Sequence, residues 1–412
     1  MRTIWIIRNS ESLITDSSGA RLWRTGIFVK FFYNKGINVR WFVSSFDHYN
    51  KCSRSSEVFK DKMQKDTLQV LKTIGYSSNV SIRRFFDHFQ FGVKAFFRFF
   101  RNEKPSVILV SYPTPESAFF SVLYGKLKNV PVIVDVRDLW PEVFYEDKGY
   151  LKTLLLKLFT LPYIFMKYYS LKNATSVIAV NNNFLTWSQK NRSDIKKSLD
   201  LTLYIPFERP EIRISDELFF DFIDKFSSHK AFEEKKIVTF GGTLGKMFDF
   251  SPLKEALSLG RFQDTLFFIC GDGDSRDELV SSFSEYSNVI FPGYIDSGLL
   301  YHLLCNSDLL LAPYKKINNF NGHLPNKFME YISTGKPIIS SLDGEAARLL
   351  EDYNCGFTYN SSDSFMEVLS DALISQDRLQ SMGLNSLKLY DKFSPEVILH
   401  ELEKHINKVC KS

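Results

Sequence analysis

The chain has 412 residues, 24% charged and 44% hydrophobic, which excludes collagen-like, wholly disordered and rod-like coiled-coil classes. At roughly 150 residues per domain the length suits two or three domains, and a net charge of +5, from 52 basic and 47 acidic side chains, is too mild to argue for nucleic acid. Aromatic content is high, with 39 Phe and 19 Tyr, and the excess must either fill a large core or meet lipid.

The first strand is expected at Thr3–Ile7. The apolar run around it ends at Arg8, too soon for a signal-peptide core. No stretch reaches the roughly 20 mostly apolar residues of a membrane-spanning helix, so a cytoplasmic protein is expected. The cysteines, Cys52, Cys270, Cys305, Cys355 and Cys410, are odd in number and form no CxxC pair. That argues against a disulfide framework and against a cysteine-built zinc site. Ser17-Ser18-Gly19-Ala20-Arg21 then reads as a polar loop opening a helix that runs to Lys35 and stops at Gly36. Such a loop suits a hydroxyl acceptor or a phosphate, and equally a plain connection.

Strands follow at Val39–Val43, Val107–Ser111, Val132–Val136 and Ser176–Val180. Between the first two lies RRFFDHFQFGVKAFFRFF, residues 83–100. Wound as a helix, it puts Phe85, Phe89, Val93, Phe96 and Phe100 on one face and Arg83, Lys94, Arg98 and Arg101 on the other. The segment 151–172 is similarly apolar and basic. Such helices either face a core or lie on an anionic membrane surface. The strand at 132–136 runs into Arg137-Asp138-Leu139-Trp140-Pro141-Glu142. Ligands of open parallel sheets bind beyond the carboxyl ends of the strands, so Asp138 and Arg137 are candidates for chemistry, the alternative being solvated loop charges.

A polar stretch from Glu208 to Lys236 separates this half from a second series of strands, at Ile237–Phe240, Leu266–Cys270, Val289–Phe291, Leu309–Ala312 and Pro337–Ser340. Near-continuous apolar strands alternating with helices predict α/β architecture, with parallel sheets covered on both faces. The strand at 237 enters Gly241-Gly242-Thr243-Leu244-Gly245-Lys246, where glycines let backbone amides approach an anion ahead of a helix. Gly271 and Gly273 repeat the pattern but lack the third glycine of a dinucleotide fingerprint. In HLPNKFMEYISTGKP, Pro325 and Asn326 open a helix on which Lys327 and Glu330 share a face. The pair reads as a nucleotide clamp, lysine on phosphate and carboxylate on ribose hydroxyls, or as a surface ion pair. Pro395–Lys411 is the last expected helix.

RDLWPE at 137–142, PNKFMEY with TGKP at 325–337, and the FGGTLG and GDGDSR loops occur in an order that resembles glycosyltransferase family 4 over nearly the whole chain. Within it, the bacterial N-acetyl-fucosaminyl-transferase-like subgroup of capsule and O-antigen clusters is the most similar. The resemblance implies a GT-B fold. Two Rossmann-like doubly wound domains, 1–205 for the acceptor and 206–394 for the nucleotide sugar, would face a cleft, and a helix at 395–412 would cross back to the first. It implies a retaining transferase that uses a nucleoside-diphosphate sugar, UDP-linked by expectation, and a glycan or polyprenyl-diphosphate-linked acceptor.

Residue by residue, Glu330 matches the family's ribose-binding glutamate. Gly241, Gly242, Thr243 and Gly245 match the diphosphate-facing loop, with Gly271, Gly273, Pro325 and Asn326 beside it. Ser18, Gly19 and Arg21 match the acceptor-side loop, with Arg137 and Trp140 near the active-site position of Asp138. Two positions depart from the pattern. Gly322 stands where many members carry a glutamate, and Thr243 where many carry a phosphate-binding arginine. Lys246 and Lys327 are the remaining candidates for the diphosphate, Lys327 preferred. No Asp-x-Asp motif is present, so cationic side chains in place of a metal, and no cofactor, are expected. The same architecture also suits a nucleotide-sugar epimerase, which would need acid–base groups around C2, or a degenerate partner subunit, which Gly322 and Thr243 favour. Membrane contact, if made, would use 83–101 and 151–172 on the inner face of the plasma membrane.

Overall fold

The computed structural model describes residues 3–13, 16, 22–48, 50–54, 67–78, 81–145, 148–210, 214–315 and 324–411. The chain divides into two compact units, Met1–Pro206 with Ile398–Ser412, and Phe207–Val397.

The first unit is built on seven strands: β1 (Thr3–Ile7), β2 (Asn38–Ser44), β5 (Leu68–Leu71), β6 (Val107–Tyr112), β7 (Val132–Val136), β8 (Ser176–Ala179) and β9 (Leu201–Thr202), with β3 (Phe46–Asp47) and β4 (Cys52–Ser53) forming a small antiparallel hairpin. The sheet order is β5-β2-β1-β6-β7-β8-β9, all parallel. β1, β6, β7 and β8 are buried along their whole length, as strands covered by helices on both faces must be. Trp5 of β1 centres one core layer, with ring centroids 5.1 Å from Phe99 and 5.3 Å from Phe42. Helices α1 (Arg24–Asn34), α2 (Ile82–Phe99), α3 (Pro115–Lys128), α4 (Tyr150–Phe159) and α5 (Leu161–Asn173) belong to this unit, as does most of a C-terminal helix at Pro395–Val409. The C-terminal helix is tied to the sheet where His405 Nε2 meets Ser176 Oγ at 2.9 Å.

The second unit has six parallel strands, β10 (Lys236–Gly241), β11 (Thr265–Cys270), β12 (Val289–Gly293), β13 (Leu309–Ala312), β14 (Ile338–Ser340) and β15 (Gly356–Thr358), in the order β12-β11-β10-β13-β14-β15. Each sheet grows outward from a central strand in one direction and then in the other. The order reverses between β1 and β6 in the first unit and between β10 and β13 in the second. A doubly wound sheet opens its binding crevice at such a reversal, on the carboxyl side.

Three sequence expectations differ from the structure. The segment 151–172 is two helices, broken at Thr160, and Pro162 lies in the first turn of α5, where a missing N–H costs nothing. The face of α2 that enters the core carries Asp87, His88, Phe91, Ala95 and Phe99, not the Phe85-Phe89-Phe96 stripe. The stripe lies on the helix flanks, Phe85 against Tyr163 and Phe89 and Phe96 against Phe120. Third, no helix follows directly on the Gly241–Lys246 loop; the next one starts at Ser251. Among the described residues, no helix is long and apolar enough to cross a membrane.

Candidate functional site

The reversal point of the second sheet gathers most of the donor-side candidates. β10 ends at Gly241 and continues through Gly242, and helix α6 (Asn326–Ser333) packs against this turn. Tyr331 of α6 is fully buried. Its hydroxyl accepts from Gly241 N (3.0 Å) and donates to Leu311 O (3.2 Å), pinning α6 across the gap between β10 and β13. One turn earlier, Lys327 reaches Gly242. A Cβ built on Gly242 would lie 2.1 Å from its Nζ, and φ there is +150°, so the position admits only glycine while the lysine stands there.

The loop after β11 closes on the same point. Gly242 N donates to Cys270 O (2.9 Å) and Leu244 N to Asp272 O (2.9 Å). A Cβ on Gly271 would meet Gly242 O at 1.8 Å. The two glycine loops are thus one zipped surface. Gly245 has open space around it and Lys246 is exposed, so neither is fixed by packing as Gly242 and Gly271 are.

Lys327 lies with its ammonium 4.3 Å from the centre of the Phe240 ring and 5.5 Å from those of Phe248 and Tyr331. Burial pushes it down to about 8, with Glu330 and Cys270 pulling the other way. A partly desolvated ammonium on a floor of aromatic rings, one helical turn from a half-buried carboxylate, is a cation poised to gain from an arriving anion. Pro325 opens α6, and among the described residues no side chain caps it, as suits a helix start that meets an anion. The structure therefore brings together Gly241, Gly242, Gly271, Gly273, Asn326, Lys327 and Glu330. Phe240 and Phe248 were not singled out by sequence, since a buried aromatic reads as core.

In the first unit the carboxyl end of β7 is occupied by a buried ionic lattice. Arg24 Nε and Nη2 bond Asp135 at 3.1 Å. Arg137 Nε bonds Asp135 (2.8 Å), while its Nη1 bonds Glu11 (3.1 Å) and its Nη2 bonds Thr25 Oγ1 (2.8 Å). Glu11 also accepts from Thr25 N (2.7 Å) and Gly26 N (3.3 Å) at the start of α1. Burial alone would raise Asp135, but the charges and hydrogen bonds of Arg24 and Arg137 hold it below its ordinary value. Arg137 is accordingly bound into the loop framework.

Asp138 accepts from Leu139 N (2.8 Å) and from the Trp140 indole (3.2 Å). Trp140 is buried against Phe144, with the Arg84 guanidinium 5.1 Å over its ring. Arg84 also lies over Tyr76, whose hydroxyl meets His48 Nδ1 at 2.5 Å. Beside them Glu116 is buried, accepts from the Tyr163 hydroxyl, and is pushed up to about 7 by burial. Sequence reasoning missed Glu11, Arg24, Arg84 and Glu116, since their pairings span up to 126 positions of sequence. Ser18, Gly19, Arg21 and Gly322 lie outside the described residues.

Residues 221–388, all in the second unit, match the model of the family described as Glycosyl transferases group 1. No curated protein sequence matches the chain significantly. Among solved structures, the chain is similar to Anabaena HepE in complex with UDP and glucose (TM-score 0.66, 13% identity, covering 99% of this chain and 100% of that one). It is similar to the sucrose-phosphate synthase of Thermosynechococcus elongatus (TM-score 0.69, 12% identity, 99% of each chain). It is also similar to WaaG, a glycosyltransferase involved in lipopolysaccharide biosynthesis (TM-score 0.66, 14% identity, 98% of this chain and 99% of that one). At such identities the likeness establishes the fold: two Rossmann-like units of the GT-B type.

Proposed function

We propose that the chain is a retaining glycosyltransferase that moves a sugar from a nucleoside diphosphate, UDP by preference, to a glycan or polyprenyl-diphosphate-linked acceptor of a bacterial surface polysaccharide. The observation that carries this reading is Lys327 held against Gly242 at the reversal point of the second sheet, with Glu330 one turn along the same helix. The group 1 match over 221–388 covers that helix, and HepE was crystallised with UDP and glucose. Those two facts support a nucleotide-sugar donor. The family 4 resemblance supplies retention, the acceptor class and the subgroup.

In this reading Glu330 accepts the two ribose hydroxyls. Lys327, the Gly242 amide and the first-turn amides of α6 take the charge that builds on the diphosphate as the C1–oxygen bond breaks. A fixed cation and fixed dipoles, with no metal required, are already oriented before charge develops. The acceptor hydroxyl attacks C1 on the face that the diphosphate leaves, and a phosphate oxygen takes its proton. Asp138 orients the acceptor through the Trp140 segment that it braces.

The test is calorimetric titration of UDP and GDP into the wild type, Lys327→Ala and Glu330→Ala. The reading expects UDP binding in the wild type and at least about a tenfold loss in each variant, the worth of one hydrogen bond to a charged group. Unchanged binding in both variants would remove the clamp assignment.

A further inference from the structure

Helix α4 is anomalous for an element of a folded unit, because none of its ten residues is buried. Tyr150, Leu151 and Leu155 are 84%, 74% and 62% exposed, and Leu154, Leu158 and Phe159 are also exposed. A helix normally hides at least one apolar stripe against its own core. α4 instead turns its apolar stripe, Leu151, Leu154, Leu155 and Leu158 at i, i+3, i+4 and i+7, outward. Phe159 meets Phe85 of α2 edge-on at 5.6 Å.

The apolar surface does not stop at α4. Phe85 also meets Tyr163 of α5 at 5.1 Å, and Phe119 of α3 meets Phe165 of α5 at 6.0 Å. Phe86 and Phe97 of α2 and Phe165 of α5 are exposed beyond these joints. Exposed apolar side chains thus stand on α2, α5 and α4, which ring contacts join to one another and to α3, and such a grouping marks an interaction surface.

Its charge is mainly basic, although Glu146 and Asp147 precede α4 in sequence and Glu142 pairs with Lys167. From Lys148 to Lys172 the sequence holds five lysines and no aspartate or glutamate. Four of them, Lys148, Lys152, Lys157 and Lys172, are exposed. On α2, Arg83, Lys94 and Arg98 are exposed but lie away from this surface, donating to Gly75 O, Lys72 O and Gln69 Oε1, while the single carboxylate, Asp87, is buried and accepts from Gly75 N.

We propose that α4 is the element by which the first unit lies on an anionic lipid surface, its leucines entering the acyl boundary and its lysines meeting lipid phosphates. A helix whose apolar stripe is left uncovered, with none of its residues buried, favours a fluid surface over a shaped protein partner. The excess of exposed lysines, Lys148, Lys152, Lys157 and Lys172, favours anionic lipid over a second copy of the same face, where like charges would oppose each other. Lipid contact through α4 is independent of the donor and of the reaction catalysed.

The experiment is flotation with two vesicle compositions, phosphatidylcholine alone and phosphatidylcholine with phosphatidylglycerol, at low and high salt. The wild type should float with the anionic vesicles at low salt and far less with the neutral ones. Leu151→Glu with Leu155→Glu should lower partition at least about tenfold, since each buried methylene is worth roughly fourfold. Lys152→Gln with Lys157→Gln should lower it roughly fivefold per lysine, on the anionic vesicles only. Because no α4 residue is buried, both double variants should keep the circular dichroism and melting temperature of the wild type, which separates loss of contact from loss of fold. Wild type left in the soluble fraction at low salt would overturn the proposal. So would a leucine variant that floats as the wild type does. A wild-type dimer that becomes monomeric in the leucine variant while neither floats would assign the face to a second copy instead.

Discussion

Replacing Lys327 by methionine should make the protein more stable and a poorer binder of UDP. In the folded chain the ammonium is pushed from its ordinary 10.5 down to about 8, first by burial. Keeping it charged at neutral pH therefore costs the native state about 3 kcal/mol. Residual exposure and the attraction of the Phe240 ring reduce what methionine would recover to about 1–2 kcal/mol. The sign follows from proton uptake. Between about 8 and 10.5 the unfolded chain holds the proton that the folded chain has lost, so this group's contribution to wild-type stability rises with pH across that window. Lys327→Met should lack that rise. Against the gain stands the loss of a hydrogen bond to a charged phosphate, about 1.5–3 kcal/mol, or roughly ten- to a hundredfold in affinity for UDP. Urea unfolding at neutral and alkaline pH, with calorimetric titration of UDP, measures both. A variant that is less stable than the wild type and binds UDP equally well would refute the reasoning.

Asp135→Asn should cost about 3–5 kcal/mol in urea unfolding, because it leaves Arg24 and Arg137 charged and buried without their shared carboxylate. Asp138→Asn should cost no more than about 1 kcal/mol while lowering transfer, so a large stability loss there would recast Asp138 as purely structural. Gly271→Ala should destabilise by about 3 kcal/mol or more, since its Cβ would meet Gly242 O at 1.8 Å. Gly245→Ala should fall within about 1 kcal/mol of the wild type, as nothing lies near it. Equal effects of the two would contradict the zipped-loop geometry. His405 is pushed down to about 4, first by burial, and so must be neutral in the folded state. Its contribution is present above its ordinary 6.5 and is lost as pH falls through that window toward about 4. His405→Gln should flatten part of the acid limb of the stability curve, and an unchanged acid limb would show that His405 charges without strain.

The central strands were legible because they are nearly unbroken β-branched and aromatic runs. Thr3–Ile7, Val132–Val136 and Leu309–Ala312 were read at their observed limits. Leu68–Leu71, Leu201–Thr202 and Gly356–Thr358 were not, being short strands toward the sheet margins, where fewer faces demand apolar side chains. Lys327 and Glu330 were legible because three-residue spacing on a helix is a local fact. The aromatic floor under Lys327 was not, because Phe240 and Phe248 reach it only through the turn of the chain at Gly242. Arg137 shows the converse. Its position beyond β7 was read, but its pairing with Glu11 depends on where α1 begins. In the Phe-rich segment, the helical period left open which of two neighbouring faces meets the sheet. The buried side includes Asp87 and His88, polar residues that a hydrophobicity reading assigns to solvent.

The most direct test of the proposed activity is mass spectrometry of a lipid-linked acceptor incubated with nucleotide sugars and the protein, alongside Glu330→Ala. The account predicts an acceptor heavier by one sugar residue, release of the nucleoside diphosphate only when acceptor is present, and loss of both in the variant. Donor isomerised without acceptor would instead mark an epimerase. An unmodified acceptor, with no nucleotide bound across the panel, would mark a catalytically silent partner.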